Sequence, residues 1–294
     1  MHVAISGASG FIGRRLIRVL EDGKHTVLKL TRGPAKSGQR QWDPMKEEPD
    51  LRTDPPLDAV VHLAGEPVSQ RWNEAVKRKI RDSRILGTRN LVRGLAKLET
   101  KPRVLVNASA VGLYGERGEQ LLDETAGAAP GFLADVCRGW EVEADRAADL
   151  GVRVVKIRIG LVLGRGGGAL PKMLPPFRLG LGAKLGDGSQ WMSWIHLDDL
   201  VGMILFALER DAARGPWNGV APNPVTNAEF TRQLASAVHR PAVFAAPEFL
   251  VKLAAGEMAE ILFFSQRCIP AAPLAAGFQF RYPELGPALR DVLS

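Results

Sequence analysis

Cysteine is scarce in this chain of 294 residues: Cys137 and Cys268 stand far apart, with no C-x-x-C pair and no histidine at ligand spacing. That excludes a disulfide framework and a thiolate metal centre, and it suits a reducing, cytoplasmic setting. Tyrosine is equally sparse. Only Tyr114 and Tyr282 occur, and the residues four positions later are Gly118 and Gly286, so the chain contains no Y-x-x-x-K. Long apolar runs are missing too, because the most apolar later stretch, residues 249–264, is interrupted by Lys252, Glu257 and Glu260. It reads as a buried or amphipathic helix and not as a membrane span. The first residues enter a strand directly, without the basic and apolar segments of a signal peptide. The net charge of +7 comes without interleaved basic and aromatic residues of the kind that track a nucleic-acid strand. It fits an anionic small ligand or simply a basic surface.

What is present is a phosphate cradle at the head of an α/β chain. Val3-Ala4-Ile5-Ser6 is an apolar strand that runs into Gly7-Ala8-Ser9-Gly10-Phe11-Ile12-Gly13, and the residues after it have helical periodicity. Glycine at G-x-x-G-x-x-G lets main-chain N–H groups and a helix N-terminus approach a pyrophosphate. Leu16, Val19 and Leu20 continue the apolar face of that helix, which Asp22-Gly23 ends. The second strand, residues 26–30, finishes at Thr31-Arg32, where an acid would accept from the ribose 2′-hydroxyl of NAD and a cation would pair with the 2′-phosphate of NADP. Arg32, with Lys36 as a helper, points to NADP (NADPH). After a proline-rich loop over 34–56, the third strand (59–66) ends in Leu63-Ala64-Gly65, small enough to leave room for a flat ring or a pyrophosphate. His62 within it reads as a core histidine. A basic helix over 72–98, a fourth strand from 104 to 108, a helix from 132 and a strand over 152–159 complete the alternation. With 46% hydrophobic residues a sizeable core is available.

In order, Gly7-x-x-Gly10-x-x-Gly13, Val61-His62-Leu63-Ala64-Gly65, Gly87-Thr88-Arg89-Asn90-Leu91, Ser109 through Tyr114-Gly115, Arg158 through Gly164, and Trp194-Ile195-His196-Leu197-Asp198-Asp199 resemble the extended short-chain dehydrogenase/reductases of the NAD-dependent epimerase/dehydratase group. Residues 256–260, Ser265-Gln266-Arg267 and residues 276–280 resemble the tail of its atypical nucleoside-diphosphate-sugar epimerase-like subgroup, a C-terminal segment of unknown function. The resemblance implies a Rossmann-type doubly wound parallel sheet with a smaller C-terminal substrate lobe. It divides the chain into an NADP-binding core, 1–163, with a later strand returning near 217–221, and a lobe and tail, 164–294.

The wider family uses a tyrosine–lysine pair for proton transfer, and that pair is missing here. The resemblance leaves three candidates for chemistry: Ser109, near the family's catalytic hydroxyl, Tyr114, and Cys137 as a weak acid. Pocket wall for Tyr114 and small buried hydrophobe for Cys137 are the competing readings. Arg84, where the family commonly has asparagine, and Lys79 read as cofactor contacts, and Val162 as the floor under the nicotinamide. Residues 196–199 are implied to cap the next helix and not to hold a metal, and Thr226-Asn227-Ala228-Glu229 is a capping box. Two functions follow. One is an NADP(H)-dependent oxidoreductase or epimerase-like enzyme acting on an unidentified small carbonyl or hydroxyl compound. The other is a non-catalytic NADP(H)-binding regulator of a protein partner, as some relatives are linked to cell or plastid division.

Overall fold

Apolar runs such as Val3-Ala4-Ile5, Ala59-Val60-Val61 and Val104-Leu105-Val106 put apolar side chains on both faces of a strand and demand a sheet covered on both sides. The computed structural model, which describes residues 1–294, has that form. Seven parallel strands, β1 (His2–Ser6), β2 (Thr26–Thr31), β3 (Gln39–Gln41), β4 (Ala59–His62), β5 (Val104–Ala110), β6 (Arg153–Ile159) and β7 (Gly215–Gly219), lie in the order β7-β6-β5-β4-β1-β2-β3. The chain moves outward from β1 to β3, then returns to the other side of β1 and moves outward again. That reversal opens a crevice beyond the carboxyl ends of β1 and β4, where open α/β sheets bind ligands.

The helices are α1 (Phe11–Asp22), α2 (Glu74–Ala96), α3 (Phe132–Asp145), α4 (Leu170–Arg178), α5 (Leu197–Glu209), α6 (Asn227–Ala237) and α7 (Glu248–Ala255), with a terminal helix Leu285–Leu293 and short turns between. Val3, Ile5, Val61, Val106 and Ile157 face α1 and α5, packing on Leu16, Leu20, Leu200 and Ile204. Ala4, Leu28, Val60, Leu105 and Val154 face α2 and α3, packing on Leu91, Leu95 and Ala144. A separate core of Leu163, Leu170, Phe177, Trp194, Phe230, Leu234 and Leu289 gathers α4, α6 and the terminal helix. Two contacts tie these parts together. Short strand Leu161–Leu163 pairs with Trp194–His196, and the Phe11 ring fills the space over Gly164, Gly167 and Gly168, where an added Cβ would come within 2.8, 2.3 and 3.0 Å of the ring.

Three local expectations change. The proline-rich loop contains the edge strand β3, which needs only the free edge of β2. The third predicted strand stops at His62, because the chain turns away to form the crevice wall. Residues 249–264, expected as one buried or amphipathic helix, are broken at Gly256, at φ +62°; Phe249, Leu250 and Leu253 are exposed while Ala259 is buried.

Candidate functional site

The cradle is formed by backbone. Gly10 precedes α1 without any side-chain cap, and the first turn carries no acidic residue, so its N–H groups are left to an anion from outside the helix. Gly7 has φ +68°, and a Cβ there would lie 2.7 Å from the Leu63 carbonyl; at Gly13 it would lie 2.3 Å from the Gly7 carbonyl oxygen. Only glycine lets the turn, the helix and the β4 shelf approach this closely.

Beneath the shelf lies a row of buried polar residues. Ser6, His62, Asn107 and Lys156 are register neighbours across β1, β4, β5 and β6. Ser6 Oγ accepts from the N–H groups of Leu63 and Ala64 at 3.2 and 3.3 Å. Its own proton therefore goes to His62 Nδ1, 2.5 Å away. His62 is fully buried; burial, and then the nearby Arg84 cation, push its pKa down to about 3. The histidine is a neutral acceptor that fixes the shelf, in line with its reading as a core residue.

At the carboxyl end of β2, Thr31 is half-buried and Arg32 is exposed. A cavity of about 380 Å³ adjoins Thr31, and Ala8, Ser9, Arg14, Arg18 and Lys29 line it. Arg14 donates to the Ser9 carbonyl at 2.6 Å, which holds its guanidinium over the cradle. Glu21 also lines this cavity but is paired with Lys29 at 2.8 Å. Helical periodicity alone puts Arg14 off the apolar face of α1, on the solvent side. Its position directly after Gly13 was the available signal.

On the other side of the crevice, Arg84 Nη1 donates to the carbonyls of Glu66 and Ile80 at 2.9 and 3.1 Å, and the guanidinium lies 5.2 Å from the Trp140 ring centroid. An added Cβ at Gly65 would come within 3.1 Å of it. No carboxylate pairs with this cation, and burial lowers its pKa. It is a fixed positive charge at the edge of the crevice. Lys79 is exposed and roughly 140° around α2 from Arg84, so the structure does not bring the two together. Val162 is half-buried at the seam between the sheet and the C-terminal elements.

The three candidates for proton transfer have internal partners or buried surroundings. Tyr114 is fully buried; its hydroxyl donates to Asn218 Oδ1 at 2.8 Å and accepts from Arg158 Nη1 at 2.9 Å. Burial, partly opposed by Arg158, pushes the phenol up to about 12. Ser109 donates to Glu141 at 2.7 Å, and Glu141 in turn receives Arg158 at 2.9 and 3.0 Å. Cys137 is buried, and its thiol is pushed up to about 12 by burial. All three side chains are buried in the packing around β5, β6 and α3. Further along, His196 Nδ1 accepts from Asp198 N at 3.1 Å and caps α5, Asp198 pairs with Arg15 at 2.7 Å, and Asp199 accepts from the N–H groups of Arg281 and Tyr282. These residues are structural. Thr226 caps α6 through the Glu229 N–H at 3.2 Å, while the Glu229 side chain binds Arg232 instead of completing the box.

Comparison with known proteins places this geometry. The family model described as NAD dependent epimerase/dehydratase matches residues 3–218, and one described as a domain of unknown function (DUF1731) matches residues 246–292. An epimerase family protein of Mycobacterium tuberculosis is 44% identical over 290 residues, covering 98% of this chain and 96% of its own. The crystal structure of human epimerase family protein SDR39U1 (isoform 2) with NADPH is 36% identical, with a TM-score of 0.91, over 100% of this chain and 99% of that one. Thermus thermophilus UDP-glucose 4-epimerase in complex with NAD is 19% identical, with a TM-score of 0.80 over 100% and 98% of the two chains, a likeness of fold. The chain belongs to the NAD-dependent epimerase/dehydratase family.

Proposed function

We propose that this member of the family binds NADP(H) in the crevice between β1 and β4 and acts as an oxidoreductase or epimerase-like enzyme on a small carbonyl or hydroxyl compound. The observation that carries the cofactor choice is the cavity beside the uncapped α1, lined by Arg14 and Arg18 and bordered by Thr31, which Arg32 follows; its one carboxylate, Glu21, is already paired with Lys29. Two cations suit a 2′-phosphate, and no free acid is available for a ribose 2′-hydroxyl. The NADPH held by the human relative agrees with this reading. The N–H groups of Phe11, Ile12 and Gly13 would hold the pyrophosphate, Leu63–Gly65 would form the shelf, and Arg84 would face the phosphate or ribose oxygens. When bound, the nicotinamide supplies hydride exchange. The chain excludes water from one side of the crevice through Val162 and holds the charge balance through Arg84.

A second reading, an NADP(H)-binding regulator of a protein partner, is favoured by one observation: Tyr114, Ser109 and Cys137 are all committed to internal contacts. Fluorescence titration with NADPH and NADH tests the cofactor choice. NADPH is expected to bind more tightly, with the preference reduced in Arg14→Ala and Arg32→Ala; equal affinities would overturn it. Consumption of NADPH with some member of a broad carbonyl panel supports the enzyme. No turnover, together with a reproducible pulldown partner, supports the regulator.

A further inference from the structure

The tail of unknown function is attached on both sides of the crevice. On one side, Glu257 forms an ion pair with Lys77 in the first turn of α2, and Gly256 packs beside Arg71, 3.5 Å from an added Cβ to Nε. Lys77 itself lies over the Phe132 ring at the start of α3, and Phe132 stacks edge-on with Trp72. On the other side, Gln266 Nε2 donates to the carbonyls of Val111 and Gly115 at 3.0 and 3.1 Å, and Ser265 Oγ donates to the Gly118 carbonyl at 2.7 Å. Arg267–Cys268 then adds a strand to Leu121–Leu122. Residues 257–266 thus run from the β4–α2 junction to the loop after β5, the two loops that follow neighbouring strands of the sheet.

The two anchors differ in kind. The Gln266 end is built of main-chain carbonyls, a strand pair and the buried Cys268. At the Glu257 end the one charged contact is an ion pair whose carboxylate side chain is 57% exposed, beside the small buried side chain of Ala259. A second exposed contact crosses near it, from Lys172 Nζ on α4 to the carbonyl and hydroxyl of Ser69 at 3.1 Å each. Exposed charge contacts are weak and screened by salt, whereas the sewn end is not.

We propose that residues 256–266 form a strap across the nicotinamide end of the crevice, hinged at Gln266–Cys268 and latched by Glu257 on Lys77, and that unlatching controls cofactor exchange. The tail thereby gains a function, retention of NADP(H), that rests on the cofactor reading above. Within the strap Met258, Ile261, Phe263 and Phe264 are half-buried, Ala259 is buried and Leu262 is exposed, and Gly256 at φ +62° makes the turn at the latched end.

The test is the rate of NADPH dissociation, followed by stopped-flow displacement in full-length protein. The comparison is wild type, Glu257→Lys, Lys77→Glu and the exchanged pair carrying both changes. Each single reversal replaces attraction by repulsion and is expected to speed release by about two- to fivefold at low salt. The exchanged pair is expected to restore the wild-type rate to within about twofold, and 0.5 M salt to bring all four proteins together. Lys172→Ala supplies an independent check on the same side. Unchanged rates in both single variants, or no rescue in the exchanged pair, would overturn the strap even if NADPH binds. Failure of the wild type to bind NADPH in equilibrium titration would instead overturn the cofactor reading and the strap with it. Thermal melts separate both results from loss of fold.

Discussion

His62 makes stability sensitive to mild acid. The perturbation is a fall in pH from 8 to 5, compared in wild type and His62→Gln, whose amide oxygen can still accept from Ser6. In the unfolded chain the imidazole takes up a proton near its ordinary value of 6.5, whereas in the folded chain it does so only near 3. Below 6.5 the unfolded state therefore binds more protons, and stability falls as pH falls. The slope approaches about 1.4 kcal/mol per pH unit, and the integrated loss at pH 5 is about 2 kcal/mol. His196, also lowered by burial and partly restored by Asp198 and Asp291, contributes to the wild-type slope in the same direction. The difference between the two proteins isolates His62. Asp50, lowered to about 2, and Asp291 contribute only when the pH falls further, through the carboxylate range. Urea denaturation at a series of pH values measures the effect, with m-values checked for constancy. If wild type and His62→Gln lose stability in parallel between pH 8 and 5, the assignment of His62 as a buried neutral acceptor is wrong.

Other substitutions separate architecture from ligand binding. Gly13→Ala places a methyl against the Gly7 carbonyl, introducing strain of about 1–3 kcal/mol, and should weaken NADPH binding in titration; unchanged affinity would remove Gly7–Gly13 from the site. Tyr114→Phe leaves Asn218 Oδ1 and one Arg158 N–H without their partner, at a cost of about 1–3 kcal/mol in urea melts, with NADPH affinity unchanged. A loss of turnover with no loss of stability would restore Tyr114 as a proton donor. Thr226→Ala removes the α6 cap and should lower stability by about 1 kcal/mol in the same assay.

The shape of the cradle was legible because strand, glycine spacing and helix are contiguous. The place of Arg32 just after β2 was legible from the end of the apolar strand. Arg14 was not, since helical periodicity assigns it to solvent while the Ser9 carbonyl turns its guanidinium back over the turn. The internal contacts of the candidate proton donors were not legible, for a common reason. Tyr114, Ser109 and Cys137 are surrounded by Asn218, Arg158, Glu141 and Arg84, which come from distant strands and helices. No spacing rule within one segment reveals such a network. The break at Gly256 was likewise hidden inside an apolar run, and the exposed Phe249 and Leu253 show that composition alone did not establish burial there.

The Phe11 ring lies against Gly164, Gly167 and Gly168. Phe11 opens α1, so the loop that leads to α4 rests on the same residue that begins the helix after the glycine turn. The glycines of that loop leave no side chain of their own at this seam, so a smaller residue at position 11 would leave a void between the first turn of α1 and the C-terminal elements.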